Sequence, residues 1–99
     1  MKNFREQIKS AESPVVAVFS AEWCGPCKMF APIFEQVKST YKDAEFIKLN
    51  VDDCEDICLD LDVRSVPTII RFKAGREVAR KIGAFANATA FETWIVQGG

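Results

Sequence analysis

Two cysteines two residues apart, in Trp23-Cys24-Gly25-Pro26-Cys27, carry the most distinctive chemistry of this chain. Such a pair can close a small disulfide ring and open it again by exchange with another thiol or disulfide, and the exchange runs through thiolate. An unbroken apolar run, Val15 to Phe19, leads into the motif, and an amphipathic helical pattern leaves it. Cys24 therefore falls at a helix N-terminus, where free N–H groups and the helix dipole favour an anion. Pro26 fits the first helical turn, where its missing donor costs nothing. Cys27 lies just inside the helix and is expected to be the less exposed sulfur. These positions make Cys24 the attacking thiol and Cys27 the resolving thiol.

A C-x-x-C pair is also half of many zinc sites. The chain has no histidine, and its other two cysteines, Cys54 and Cys58, have three residues between them in a helical pattern. Zinc is therefore the weaker reading, and no metal is assigned. The lack of histidine also excludes Ser-His-Asp triads, histidine-paired cysteine nucleophiles and histidine general bases. As i, i+4 partners, Cys54 and Cys58 share a helix face. Two readings of them stay open: small half-buried hydrophobes, or a regulatory thiol pair. A disulfide inside one unbroken helical turn would be strained, so the second reading needs the helix to loosen.

The elements that must position these groups fit one domain, residues 1–99, large enough for a single core. A 48% apolar and 27% charged composition is that of an ordinary globular protein. The net charge is −1, with lysine and arginine spread along the chain, which argues against nucleic acid or an anionic membrane as partner. The start, Met1 to Glu6, lacks the apolar core of a signal peptide, and the longest uncharged run, Ser13 to Ala21, is too short to span a membrane. Four cysteines without an export signal point to a reducing, cytoplasmic setting and to catalytic thiols.

Along the chain, Phe4, Ile8 and Ala11 mark a short first helix that ends before Ser13-Pro14. Val15 to Phe19 has no polar alternation, the pattern of a strand buried on both faces. Met29, Phe30, Ile33, Phe34, Val37 and Tyr41 form one stripe of a helix that Pro32 should bend rather than end. Glu45 to Val51 reads as a second strand, followed by a helix capped by Asp52 or Asp53. Thr68 to Phe72 and Glu77 to Ile82 are strands joined by a tight turn at Lys73-Ala74-Gly75-Arg76. A last helix, capped by Asn87 or by Thr89, buries Phe91, Trp94 and Ile95. The order αβαβαββα gives an α/β domain with a mixed sheet flanked by helices.

Taken in register, Ala21 to Lys28, Lys48 to Asp52, Val63 to Thr68, Phe72 to Gly75 and Ile82 to Ala84 resemble the thioredoxin family over about four fifths of the chain. The resemblance implies a thioredoxin fold and a protein disulfide reductase, a redox carrier that donates electrons to cytosolic targets. It implies a cis peptide at Val66-Pro67 facing the sulfurs, with Val66 free to pair with an extended substrate segment. Trp23, Gly25, Pro26, Val66, Pro67, Gly83 and Ala84 would surround Cys24 as the docking and supporting surface. The implied partners are disulfide-bearing proteins and a separate NADPH-linked flavin reductase, met by a monomer. The chain itself has no glycine-rich dinucleotide fingerprint, so no cofactor is assigned.

The chain departs from the family pattern at two points. Val18 stands where most members bury an aspartate that assists the resolving thiol, and Lys48 matches the lysine that usually pairs with it. Without that partner, Lys48 is expected to reach solvent along its stem, and Cys27 to lose its proton through water or with help from Glu22. The N-terminus is also short: only Met1 to Asn3 remain for an edge strand, so a four-stranded sheet is expected. A second function class is a binding module that regulates a partner through the Trp23 face. Such a module would keep its function after both motif cysteines became serine.

Overall fold

The computed structural model describes residues 3–97. Its elements are α1 (Phe4–Ser10), β1 (Val15–Ser20), α2 (Gly25–Thr40), β2 (Glu45–Asn50), a 3-10 turn (Val51–Asp53), α3 (Glu55–Leu61), β3 (Thr68–Lys73), β4 (Arg76–Ile82) and α4 (Ala88–Gln97). The sheet runs β2-β1-β3-β4, with β1 parallel to β2 and antiparallel to β3, and β3 antiparallel to β4. It is the four-stranded mixed sheet expected. Asn3 caps α1, its side chain accepting from the Glu6 N–H at 2.9 Å; Met1 and Lys2, the rest of the expected edge fragment, lie outside the described residues.

Successive strand side chains point to opposite faces, and β1 shows why its sequence needs no polar alternation. Val15, Ala17 and Phe19 pack with Phe4 and Ile8 of α1 and with the α3 side of the molecule. Val16 and Val18 pack with Phe30, Phe34 and Val37 of α2 and Phe91 and Ile95 of α4. All six β1 residues are buried. Burial of each large apolar side chain contributes about 1.5–3 kcal/mol. On the α2/α4 side, Phe91 stacks with Phe34 and Phe85 and meets Phe30 edge-on. This ring cluster fixes α2, and with it the cysteine motif, against the sheet.

Several local expectations change. The stripe of α2 runs through Cys27, Phe30, Phe34 and Val37, while Met29 is 78% exposed. Met29 lies about 100° round the helix from Phe30, outside that stripe. The helix continues through Pro32. The second strand ends at Asn50 rather than Val51, because a 3-10 turn takes the next three residues. Neither Asp52 nor Asp53 caps α3. Cys54 occupies that position without a side-chain capping bond to the helix, and Asn50 caps the 3-10 turn by accepting from the Asp52 N–H at 2.9 Å.

Asn87, not Thr89, caps α4, accepting from the Ala90 N–H at 2.8 Å. Trp94 is half-buried rather than buried, with the Arg71 guanidinium 4.8 Å from its ring centre. The β3–β4 turn places Ala74 (φ 53°) and Gly75 (φ 81°) in the left-handed region, and a Cβ on Gly75 would meet Lys9 Cγ at 3.2 Å. No helix among the described residues is long and apolar enough to cross a membrane.

Candidate active site

Buried β1 delivers the chain to a bend at Ala21–Trp23, and α2 begins at Gly25. Cys24 is the N-cap of α2: its Sγ accepts from the Cys27 N–H at 3.2 Å, the role a serine or aspartate oxygen plays at other helix starts. The Cys24 carbonyl accepts from the Lys28 N–H at 3.2 Å, the first bond of the helix. Pro26 sits within the first turn, where its missing N–H leaves no gap. Both motif cysteines are free thiols and each is 6% exposed, so Cys27 is not the more buried of the two. Hydrogen bonding separates them instead. Cys24 receives the helical N–H, whereas the Cys27 thiol is pushed up to about 11, first by burial and then by its hydrogen bond to Cys24.

Val66-Pro67 is a cis peptide, as the resemblance implied. The Cys24 thiol donates to the Val66 carbonyl at 3.6 Å, and Val66 packs against Ala21, Cys24 and Cys27. The Pro67 carbonyl accepts from the Gly83 N–H at 2.9 Å, which ties the end of β4 to the same corner. Gly83 has φ 96°, a conformation side chains resist. Ala84 is half-buried against the α2/α4 core. Gly25 is exposed, with nothing within 4 Å of a Cβ placed on it.

Trp23 is 69% exposed, yet its ring is held: the indole N–H donates to the Asp52 carboxylate at 3.1 Å. By its position before a helical pattern, Asp52 is expected only to cap a helix. Its place in the Lys48-to-Asp52 motif was the available signal for this second role. A groove of about 610 Å³ opens beside Trp23, with Cys58, Leu59, Val63, Arg64 and Val66 along its walls. Leu59 is 81% exposed, so the groove presents an apolar lip.

On its other side Cys27 opens to a cleft of about 440 Å³ shared with Ser20, Glu22, Lys28, Lys48 and Asn50. Lys48 pairs in register with Val18, so both point to the α2 face. Lys48 is exposed, as its unpaired charge required, and its ammonium draws the Cys27 thiol downward against the effect of burial. Val18 is 3% exposed and lines a void of about 10 Å³ with Cys27 and Lys48. Cys54 and Cys58 stand apart from this centre, on the α1/α3 side of the sheet.

Comparison with known proteins agrees with this geometry. The sequence model of the thioredoxin family matches residues 1–97. Thioredoxin-2 of Saccharomyces cerevisiae is 47% identical over 77 residues, 78% of this chain and 74% of that protein. Thioredoxin of Ovis aries is 43% identical over 82 residues, 82% of this chain and 78% of its own length. The structure of Plasmodium falciparum thioredoxin superposes with a TM-score of 0.87 at 35% identity, covering 97% of this chain and 91% of the other. The chain belongs to the thioredoxin family and is a thiol–disulfide oxidoreductase.

Proposed function

We propose that Cys24 attacks a disulfide of a target protein and that Cys27 resolves the mixed disulfide. The observation that carries this order is the Cys24 sulfur at the helix start, accepting the Cys27 N–H and facing the Val66 carbonyl. Attack by the Cys24 thiolate breaks the target S–S bond, and the released target sulfur leaves as thiolate. The target segment then lies along Val66-Pro67, where among the described residues only Cys24 bonds the Val66 carbonyl, so a strand-like partner can pair there. Trp23, held by Asp52, and Gly25, Pro26, Gly83 and Ala84 frame that contact.

Cys27 is held protonated until it is needed. A thiol near 11 is roughly one part in ten thousand thiolate at pH 7. Once Cys24 is tied up in the mixed disulfide, its hydrogen bond to Cys27 and its charge no longer raise the Cys27 thiol. The Ala21 backbone and the Lys48 ammonium still favour the thiolate. With Val18 in place of a carboxylate, the proton leaves to solvent through the cleft that Cys27 shares with Glu22. Cys27 then attacks Cys24, the reduced target departs, and the 24–27 disulfide remains.

The product must be reset by an outside reductant. An NADPH-linked thioredoxin reductase performs that step on this chain, a monomeric, single-domain electron carrier of the cytoplasm. A redox titration in thiol buffers, quenched by alkylation and mapped cysteine by cysteine, tests the assignment. A Cys24–Cys27 midpoint near the value typical of thioredoxins, about −270 mV, is expected, whereas a midpoint near −180 mV, the range of isomerases, would overturn it.

A further inference from the structure

The groove beside Trp23 is held from behind by β4. Its wall comes from α3, with Cys58 and Leu59, and from the loop Val63 to Val66 that runs into the cis peptide. The end of α3 is therefore also the start of that wall. There the Asp62 and Val63 N–H groups satisfy the Leu59 and Cys58 carbonyls, at 3.2 and 2.8 Å. The Leu61 and Asp62 carbonyls are bonded instead by the Arg80 guanidinium, at 2.5 and 3.0 Å. Carbonyls at a helix C-terminus lack intrahelical partners, and a cation there also complements the helix dipole. α3 is only seven residues long and has no side-chain bond at its N-cap. Arg80 thus supplies, from a neighbouring strand, a tie that this short helix does not make for itself.

An irregularity in β4 aims that side chain. Glu77 and Arg80 are three residues apart, and on a regular strand they would point to opposite faces. Here Arg80 pairs with Ile70 and Glu77 with Phe72, and a register shift between Arg71 and Phe72 leaves Val78 as the extra residue. Ile70 and Phe72 both pack on the α1/α3 side. The bulge therefore brings Glu77 and Arg80 onto that one face. The Glu77 carboxylate accepts from Arg80 Nε at 2.7 Å and from Nη2 at 2.8 Å. Two parallel bonds fix the plane of a guanidinium, and this one is turned toward the end of α3. At the far end of the loop, the Thr68 hydroxyl donates to the Ser65 carbonyl at 2.7 Å. The segment between is pinned at both ends.

We propose that Arg80, braced by Glu77, is a positioning residue that fixes the α3 end of the docking groove, and so favours a disulfide carried on a protein segment over a small free disulfide. The proposal rests on the groove belonging to the target face described above. Arg80 lines neither the groove nor the cleft beside Cys27, so it acts through the wall. A small disulfide needs only the Cys24 sulfur and the Val66 corner. A protein segment must also lie against Leu59 and Val63. Without the guanidinium, water satisfies the Leu61 and Asp62 carbonyls but does not hold the wall in one place. The target must then order the wall as it binds, a cost that falls on affinity rather than on the sulfur chemistry.

The test compares wild type, Arg80→Gln and Arg80→Lys as reduced full chains, each mixed with insulin or with glutathione disulfide over a range of concentrations. In Arg80→Gln the KM for insulin is expected to rise about three- to tenfold, the worth of one hydrogen bond. Its kcat, and its rate with glutathione disulfide, stay at the wild-type values. Arg80→Lys keeps the charge without the fork and falls between the two. An unchanged insulin KM, or equal losses with both disulfides, overturns the proposal. If Arg80→Gln does not fold, Glu77→Gln decides: a rise in insulin KM of about two- to threefold supports the brace, and an equal KM overturns it. Hydrogen exchange needs no target and so separates this proposal from the function it rests on. The Asp62 and Val63 amides are expected to exchange about tenfold faster in Arg80→Gln while the β1 amides are unchanged. Equal exchange overturns the role of Arg80, whereas wild type that reduces neither disulfide through Cys24 and Cys27 overturns the proposed function.

Discussion

Replacing Val18 by aspartate asks what the missing carboxylate was worth. Val18 is 3% exposed, pairs in register with Lys48 and lines the small void that Cys27 also reaches. An aspartate there stands between the resolving thiol and an ammonium with no ion pair among the described residues. The change loses apolar burial worth about 1.5–3 kcal/mol and buries a polar group at a further cost of about 1–3 kcal/mol. Lys48 recovers part of this. A net destabilisation of about 2–4 kcal/mol lies within the total stability of a domain this size. Burial raises the carboxyl of the new aspartate, so the variant is nearest wild type in acid and loses ground as pH rises through that group's titration.

The gain is kinetic. With Cys27 well above neutrality and no buried base, the wild-type resolving step is expected to quicken about tenfold per pH unit between pH 6 and 8. In Val18→Asp the carboxylate takes the proton, so the rate at pH 7 rises about 10- to 100-fold and the slope flattens. The assay is a single turnover with a protein disulfide in excess, sampled by acid quench and alkylation, so that mixed disulfide and product are counted separately. A wild-type rate already flat across this range, or a variant whose profile matches wild type, would refute the reasoning and show that water in the cleft suffices.

Asp52→Ala releases the Trp23 indole and is expected to raise KM for a protein disulfide about two- to tenfold, the worth of one hydrogen bond, with kcat little changed; a loss confined to kcat would place Asp52 in the chemistry instead. The thiols of Cys27 and Cys54 both lie above the ordinary value of 9.0 when folded. Below pH 9 folded and unfolded chains both hold these protons. Above it the unfolded chain releases them first, so stability of the reduced protein falls from pH 9 up to about 11, by at most about 1.4 kcal/mol per pH unit per thiol. Denaturant melts of reduced protein across that range should show the decline, and Cys27→Ser should lessen it. Gly75→Ala combines φ 81° with a 3.2 Å contact to Lys9 and is expected to cost about 1 kcal/mol, or about 4–8 °C in Tm by calorimetry.

Period-two and period-3.6 burial wrote most of the fold into the chain. Val15 to Phe19 had to be central because both faces of the strand are apolar, and Phe30, Phe34 and Val37 had to face it. The sulfur at the helix start was legible for the same reason, since a buried strand followed by an amphipathic helix leaves one place for the motif. Features that arise between distant segments were not legible. Nothing local marks Arg71 as buried in β3, donating to the Trp94 and Ile95 carbonyls at the end of α4. Asp52 reads as a cap because acidic residues before a helix usually are caps. Only the 3-10 turn, ending β2 one residue early, swings its carboxylate under a tryptophan 29 positions away.

The same turn decides the fate of Cys54 and Cys58. Had α3 begun at Asp52, their spacing would have locked both sulfurs into a continuous helix, where a disulfide would be strained. Because the turn consumes Val51 to Asp53, Cys54 is left at the helix boundary, bonded to Asn50 and in contact with Cys58. One short irregular segment therefore anchors the Trp23 indole through Asp52 and also sets Cys54 against Cys58 at the helix boundary. The turn's first residue, Val51, also packs against Ala21, Cys24 and Cys27, so a perturbation of this segment is expected to be felt at the redox motif as well as at Trp23 and Cys54.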